Sequence, residues 1–365
     1  EEPKADALGY EGAARAEVNR AISAMVNHYR LTGDQDSMEL ANRLLRFTLK
    51  PAMWWKSHDE KRYPGSEHGM WIGHFHNATQ GFNSVLDMAL AANSDWLKEF
   101  CREYYEHIRR SGIIRMGFYP AWSTPDQIRP TLGESIAQIT EPCAVGDFIV
   151  DAVRMSDAGL GDYWDDVDYT VRNQLIEQQI CDLDRLRILS EGTKPGSSEE
   201  PLLKKFLGSF ASGTPNRILA TNFAACCNAN GAQGLYYAWH GITRYQDGVA
   251  TVNLFLNRVS PWMNVESHLP YEGKIVLHNK TSRTALVRIP GWVDKESVQC
   301  RIEKEGSPST KSGSVNPPRN NSYLVFEKLN PGDNIIIEFP VPVWKDQYTI
   351  AGNKYSLTYK GSTIV

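Results

Sequence analysis

The sequence predicts a chain in two parts, helices first and a β-sandwich after them. Three observations lead there. The 365 residues exceed what one hydrophobic core ordinarily serves, so two domains are expected. Up to the Tyr-rich stretch before Arg244, apolar residues recur at helical spacing. Near Gly248 the period changes to alternation, in short runs separated by turn residues, which is the pattern of a sandwich. The division is drawn at residues 1–246 and 247–365.

Composition narrows the function classes. With 41% hydrophobic and 22% charged residues, the chain has an ordinary globular balance. A formal net charge of −4 leaves no basic footprint for nucleic acid or an anionic membrane surface. No apolar run is long enough to cross a bilayer, and no signal peptide is visible. Six cysteines in this length make no disulfide framework. Thiols that bind metal must stay reduced, which suits a cytoplasm better than a periplasm and excludes neither. The chain enters a helical pattern soon after Glu1 and ends in a strand pattern at Val365, which reads as a fragment of a longer protein.

Taken in order, Ala13–Tyr29 and Asp36–Leu49 form a helical hairpin around Thr32-Gly33-Asp34. The next loop carries Trp54, Trp55, His58, Tyr63, Pro64, Gly65 and His68. Aromatic rings of this kind stack on sugar faces, and equally they pack helix on helix. His58, His68, His74 and His76 cluster in sequence, but on one helix His74 and His76 point roughly 200° apart and share no metal. Further helices are expected over Asp95–Arg110, Cys143–Met155 and Asp165–Cys181. Between the first two lies the irregular Gly117–Pro130, with Tyr119 and Trp122. Ser190–Asn216 has the composition of a lid or a disordered excursion. Asp165-Asp166 and Asp182/Asp184 read as exposed helix faces. Strands are expected over Val249–Leu256, Lys274–His278, Ala285–Ile289, Val298–Ile302, Tyr323–Glu327, Asn334–Phe339 and Tyr355–Tyr359, with a polar loop over Lys304–Asn321.

The chemistry concentrates at Glu141-Pro142-Cys143 and the vicinal pair Cys226-Cys227. Each stands at the start of a helical pattern; Pro142 suits a first turn, and Asn228 or Asn230 offers a cap. Helix N-termini favour anions, so thiolates are at home there. Three thiolates and a carboxylate over-neutralise a Zn²⁺ ion, and two helix starts offset part of the excess. The bland alternative is that these cysteines are small core residues.

Glu-x-Cys followed much later by Cys-Cys before a Tyr-rich helix resembles glycoside hydrolase family 127, the β-L-arabinofuranosidase group, of which this chain looks like a divergent member. RIPGW at Arg288–Trp292 resembles that family's β-domain signature, and VNLFL at Val252–Leu256 resembles one of its strands. GHFHNATQGF and the TGD after HYR resemble its helical repeats. The resemblance implies an (α/α)6-type helical toroid, incomplete at its N-terminus, followed by the β-sandwich. It implies a retaining hydrolase of furanosides from plant-type glycans, with Zn²⁺ held by Glu141, Cys143, Cys226 and Cys227. Cys226 would be ligand and nucleophile, and Glu134, after Gly133, the acid/base. His76 matches the family's active-site histidine, while Trp122 and Tyr119 are candidate sugar contacts.

Departures from the family pattern bear on the substrate. Asn19-Arg20 stands where the family has Gly-His, and Arg20 in a sugar pocket favours an acidic or differently substituted ligand. Asn228-Ala229 replaces Pro-Pro, Ala224 replaces a cysteine, and the segment between Glu134 and Glu141 is short. Two other classes stay open: a catalytically silent carbohydrate-binding or scaffold protein with structural zinc, and a toroid lyase or epimerase using His76 and Tyr119.

Overall fold

The computed structural model describes residues 13–49, 73–123, 139–189, 194–198, 200–214, 217–218, 225–304, 313–350 and 353–365. The helices come first. α1 (Ala13–Thr32) and α2 (Gln35–Thr48) form the expected hairpin. Gly33 makes its turn at φ 76°, a left-handed value that suits glycine, and Asp34 Oδ2 accepts the Ser37 N–H at 3.1 Å. α3 (Phe75–Ala91) and α4 (Asp95–Arg109) follow, with the Ser94 hydroxyl capping the Leu97 N–H of α4. His74 lies not on the helix but in a two-residue strand, β1 (Gly73–His74), paired with β2 (Trp122–Ser123).

α5 (Pro142–Asp157) is buried on nearly all sides, as an interior helix must be when its sequence is apolar all round. α6 (Trp164–Thr170) runs into a π-helical turn over Val171–Leu175, so the expected helix to Cys181 is broken. The break has a use. It turns Arg172 onto Asp168 (2.7 Å) and the Phe255 carbonyl (2.6 Å), and Asn173 onto the Ser362 carbonyl (2.9 Å). Two short helices, α7 (Leu183–Leu189) and α8 (Glu200–Lys204), precede the short pair β3 (Gly213–Thr214) and β4 (Arg217–Ile218) and then α9 (Ala225–Gly241).

The strand-rich part begins at β5 (Thr243–Gln246), four residues ahead of the division drawn from sequence. β6 (Val249–Val252), β7 (Met263–Ser267), β8 (Lys274–Asn279), β9 (Thr284–Arg288), β10 (Gln299–Glu303), β11 (Gly313–Val315), β12 (Arg319–Asn320), β13 (Tyr323–Glu327) and β14 (Asn334–Glu338) follow. They form two five-stranded sheets, in the orders β11-β10-β14-β8-β7 and β12-β13-β9-β6-β5. β8 shows the cause: its alternate residues Ile275, Leu277 and Asn279 are buried while those between are half-buried. A third sheet, β15 (Val343–Ile350), β16 (Asn353–Lys360) and β17 (Thr363–Ile364), docks on Met116 and Phe118 of the helical part.

One apolar core runs through both parts, from Ile22, Phe82 and Phe148 to Val252, Ile275 and Ile337. A charged clamp reinforces the join. Arg288, at the head of RIPGW, is 4% exposed and donates to Asp162 and Asp165 at 2.7 Å each. Asp165 also accepts the Gly291 N–H at 2.9 Å. Asp165-Asp166 is therefore no solvent-facing helix surface. Asp166, 2% exposed, takes two bonds from Arg109 and one from Tyr105, and burial pushes its carboxyl up to about 6 against the pull of Arg109. Asp182 and Asp184 are exposed as expected, and Asp182 caps the start of α7.

Candidate functional site

Two helix starts meet because their backbones can touch. A Cβ built on Gly146 of α5 would lie 2.2 Å from the Asn230 carbonyl oxygen of α9. One on Gly234 of α9 would lie 2.6 Å from the Gly146 Cα. Only glycines allow that crossing, and it carries the N-terminal turns of both helices to one place. Glu141 is the N-cap of α5, Pro142 its first residue and Cys143 its second. α9 begins at Ala225, so Cys226 and Cys227 lie in its first turn. The expected caps Asn228 and Asn230 are therefore inside the helix; Asn228 Oδ1 instead accepts the Phe210 N–H at 2.6 Å.

The Sγ atoms of Cys143, Cys226 and Cys227 lie within 4.8 Å of one another. Cys143 and Cys227 are buried, whereas Cys226 is exposed. Cys143 Sγ donates to Cys227 Sγ at 3.2 Å. That donation, together with the Cys143 backbone N–H, brings the Cys227 thiol down to about 7, although burial and the nearby Glu141 carboxylate oppose it. Cys143, which keeps the shared proton, is pushed up. The Glu141 carboxylate acts on Cys227 through space but is not among the atoms that cluster within 4.8 Å. Of the four residues expected as ligands, the three cysteines cluster and Glu141 stands outside that cluster.

One turn along α5 from Cys143 stands Asp147, buried, whose Oδ2 lies 2.7 Å from His76 Nδ1 and 3.0 Å from Thr79 Oγ1. This ties the first turn of α3 to the thiol end of α5. Backbone bonds do the same from outside: Phe75 N–H to the Ala121 carbonyl (2.9 Å), and Ala121 N–H to the Ile139 carbonyl (2.8 Å). Arg20, exposed on α1, donates to Gln80 at 3.1 Å, one turn along α3 from His76.

Tyr119 requires a correction. Its ring is 0% exposed, 5.2 Å from the Phe75 ring and 4.1 Å from the Phe148 ring. It is packed in the core between Phe75 and Phe148 rather than set out as a sugar contact, and burial raises its hydroxyl far above the ordinary phenol range. An acid/base pair of His76 and Tyr119 is therefore not supported. Trp122 pairs through its backbone with His74, and its side chain lies outside the described residues. Glu134 and the loop holding Trp54, Trp55, His58 and His68 also lie outside them.

Part of the Ser190–Asn216 segment proves to be core. Phe210 and Ala211 are buried, Ala211 N–H donates to the Gln178 carbonyl at 3.0 Å, and the Phe210 ring lies against Gly231 of α9. Sequence reading missed Gly146, Gly234, Asp147 and Asp151. The two acids stand four apart in the otherwise apolar run AVGDFIVDAV, a visible signal of a buried polar face.

Helices followed by a β-rich region make a fold shared with solved glycoside hydrolases. A family 127 β-L-arabinofuranosidase from Geobacillus stearothermophilus T6 superposes with a TM-score of 0.60 at 16% identity, over 93% of this chain and 57% of that one. A family 127 β-arabinofuranosidase matches at 0.62 and 18%, over 94% and 55%. A third structure, described as a glycoside hydrolase, matches at 0.62 and 15%, over 94% and 59%. The chain thus spans little more than half the length of these structures. No protein-family profile and no curated sequence matches it. Among the described residues no helix is long and apolar enough to cross a membrane.

Proposed function

We propose that the chain carries the thiol centre of a zinc-dependent retaining glycosidase acting on a furanoside such as a β-L-arabinofuranoside. The helical part is read as a portion of an (α/α)6-type toroid and the strand part as a β-sandwich, over residues 1–246 and 247–365. The observation that carries the reading is the cluster of three sulfurs at two helix starts, with Cys226 alone exposed. The fold shared with family 127 structures supports it.

The donor set fits zinc. A tetrahedral ion about 2.3 Å from each sulfur holds them about 3.8 Å apart, inside the 4.8 Å spread of this cluster. Cys143, Cys226 and Cys227 would hold it, with Glu141 beside them as the fourth ligand. When bound, zinc keeps the sulfurs ionised near neutral pH.

The residues then divide the work. Cys226 Sγ attacks the anomeric carbon as the bond to the leaving oxygen breaks, and Glu134 protonates that oxygen. Glu134 next takes a proton from water, whose oxygen displaces the sulfur and restores Cys226. Two displacements retain the anomeric configuration, with sulfur in the place of the usual second carboxylate. His76 and Trp122 are read as residues that bind the sugar. Arg20 favours a ligand with an acidic or differently substituted ring.

The test is metal analysis of protein purified without added zinc, combined with a panel of aryl furanosides and pyranosides. About one zinc per chain with hydrolysis of a furanoside is the expected result. Zinc without hydrolysis of any aryl glycoside would leave only the scaffold reading.

A further inference from the structure

We propose that a cleft at the far end of α9 from the thiols is a second, non-catalytic binding site, and that its ligand is a neutral saccharide. Trp239, on its wall, and Cys226 stand on the same helix, about 20 Å apart along the axis. The proposal holds whether or not the thiol centre cleaves glycosides.

The cleft encloses about 610 Å³ between the end of α9, the chain linking β6 to β7, and the strands β7 and β8. Small-molecule sites commonly measure about 300–1,000 Å³. Trp239 is 45% exposed, and the Arg258 guanidinium lies 4.4 Å from its ring centroid, which holds the indole as a fixed plate. Tyr236, one turn back on α9 and 56% exposed, lengthens the aromatic surface, with the two centroids 6.1 Å apart. Neighbouring large rings left in water beside polar groups mark an interaction surface, and the carbon face of a sugar ring packs on such rings.

The polar groups match hydroxyls. Asn257 and Asn264 line the cleft, and backbone donors fix how each amide is turned. Asn257 Oδ1 accepts the Ser267 N–H at 2.7 Å, and Asn264 Oδ1 accepts the Ser260 N–H at 3.2 Å. Each Nδ2 is thereby a donor with no partner among the described residues. Glu266 supplies acceptors: its Oε2 lies 3.0 Å from His278 Nε2, and its side chain is 53% exposed, so lone pairs remain for a ligand. Two amide donors and a carboxylate beside an indole suit a ring of hydroxyls, each of which both donates and accepts.

Charge decides between a neutral ligand and an anion. Arg258 lines the cleft, but its Nη1 already donates to the carbonyls of Trp239, His240 and Thr243 at 3.0, 2.6 and 3.1 Å. These lie at the negative end of the α9 dipole, so the guanidinium, 7% exposed, caps the helix rather than receiving a carboxylate. The hydrogen bond with His278 lowers the Glu266 carboxyl, and that carboxylate repels an anion in turn. A metal is no better candidate, since the thiol cluster is the only metal-capable group among the described residues.

The test is a binding titration on the full chain labelled with ¹⁵N, with the Trp239 indole N–H assigned by its loss in Trp239→Phe. Xylohexaose, cellohexaose and a linear α-arabinohexaose are the neutral probes, and trigalacturonate is their charged counterpart. At least one neutral probe should shift the Trp239 signal, and trigalacturonate should bind more weakly. Trp239→Ala and Glu266→Ala should each weaken that binding by about 10-fold or more, while kcat/KM on a small aryl furanoside is unchanged. Trp239→Phe, which keeps a ring, should retain most of the affinity. No response of Trp239 to any neutral probe at millimolar concentration would overturn the proposal. So would binding untouched by both alanine variants, or tighter binding of trigalacturonate. Where Trp239→Ala does not fold, the parent titration and Glu266→Ala, at an exposed strand position, still decide. Binding at Trp239 in a protein that hydrolyses nothing supports the cleft and refutes the glycosidase reading alone. Hydrolysis with no response at Trp239 refutes the cleft alone.

Discussion

Gly146 and Gly234 meet backbone to backbone: a Cβ on Gly234 would lie 2.6 Å from the Gly146 Cα. That contact sets the distance between the starts of α5 and α9, and hence between Cys143 and the vicinal cysteines. Gly146→Ala should destabilise the fold by about 1–3 kcal/mol, because the clash with the Asn230 carbonyl outweighs the helix propensity of alanine. Urea denaturation measures the loss, and zinc content should fall with it. Unchanged stability together with full metal loading would show that the crossing is adjustable.

Removing one buried thiol should cost metal before it costs fold. Cys143→Ser or Cys227→Ser leaves two of the three clustered sulfurs, so zinc per chain should drop well below one after dialysis against a weak chelator. Chelation of the parent should lower its melting temperature, since binding to the folded state alone stabilises it. A melting curve indifferent to chelator would argue against a resident metal.

Cys226→Ser should abolish turnover without unfolding the protein, because this is the exposed member of the pair, and its melting temperature should fall no lower than that of the chelated parent. Glu134→Gln should slow substrates with poor leaving groups far more than activated aryl glycosides, since only the former need protonation. Equal loss on both would assign Glu134 a structural role. A trapped sugar adduct on any residue other than Cys226 would end the cysteine mechanism.

Asp151 should make the protein less stable as pH rises. Its carboxyl is raised in the folded state, so the stability it contributes is complete below about pH 4, the unfolded value, and is lost as pH climbs toward the folded one. Asp151→Asn removes that linkage. The variant should gain on the parent by about 1–3 kcal/mol at neutral pH and by little near pH 4. Thermal melts across that range check the sign, and a constant difference would mean that Asp151 is not the linked group.

Arg288→Ala should loosen the join between helices and strands. The guanidinium is 4% exposed, but Asp162 is 37% exposed and stays solvated when its partner is gone, so about 2–3 kcal/mol is expected rather than the full cost of a buried pair. Arg288→Lys should not rescue it, because one ammonium does not reproduce a fork aimed at two carboxylates. Denaturation in urea reads both variants.

Periodicity alone placed most helices and most strands of the two large sheets, because burying one face imposes a repeat of 3.6 or 2 residues. It missed β5, β7, β11 and β12 of those sheets, and β15 and β17 of the third. In β15 the residues Val343 to Thr349 are all exposed or half-buried, so no apolar face marks the strand. It ran α6 on to Cys181, because a π-helical turn keeps helical spacing while redirecting Arg172 and Asn173.

By itself, the sequence determined the order of helices before strands and the presence of thiols at two helix starts. Those are local properties, written in spacing and in capping residues. Only the tertiary structure decided that the sulfurs converge, that Cys226 is the exposed one, and that His76 leans on Asp147. It also moved Tyr119 into the core and turned RIPGW into a clamp on Asp162 and Asp165. Each of these joins residues distant in the chain, and such contacts depend on how closely two backbones approach. That approach is set by Gly146 and Gly234, whose lack of a side chain leaves no periodic trace.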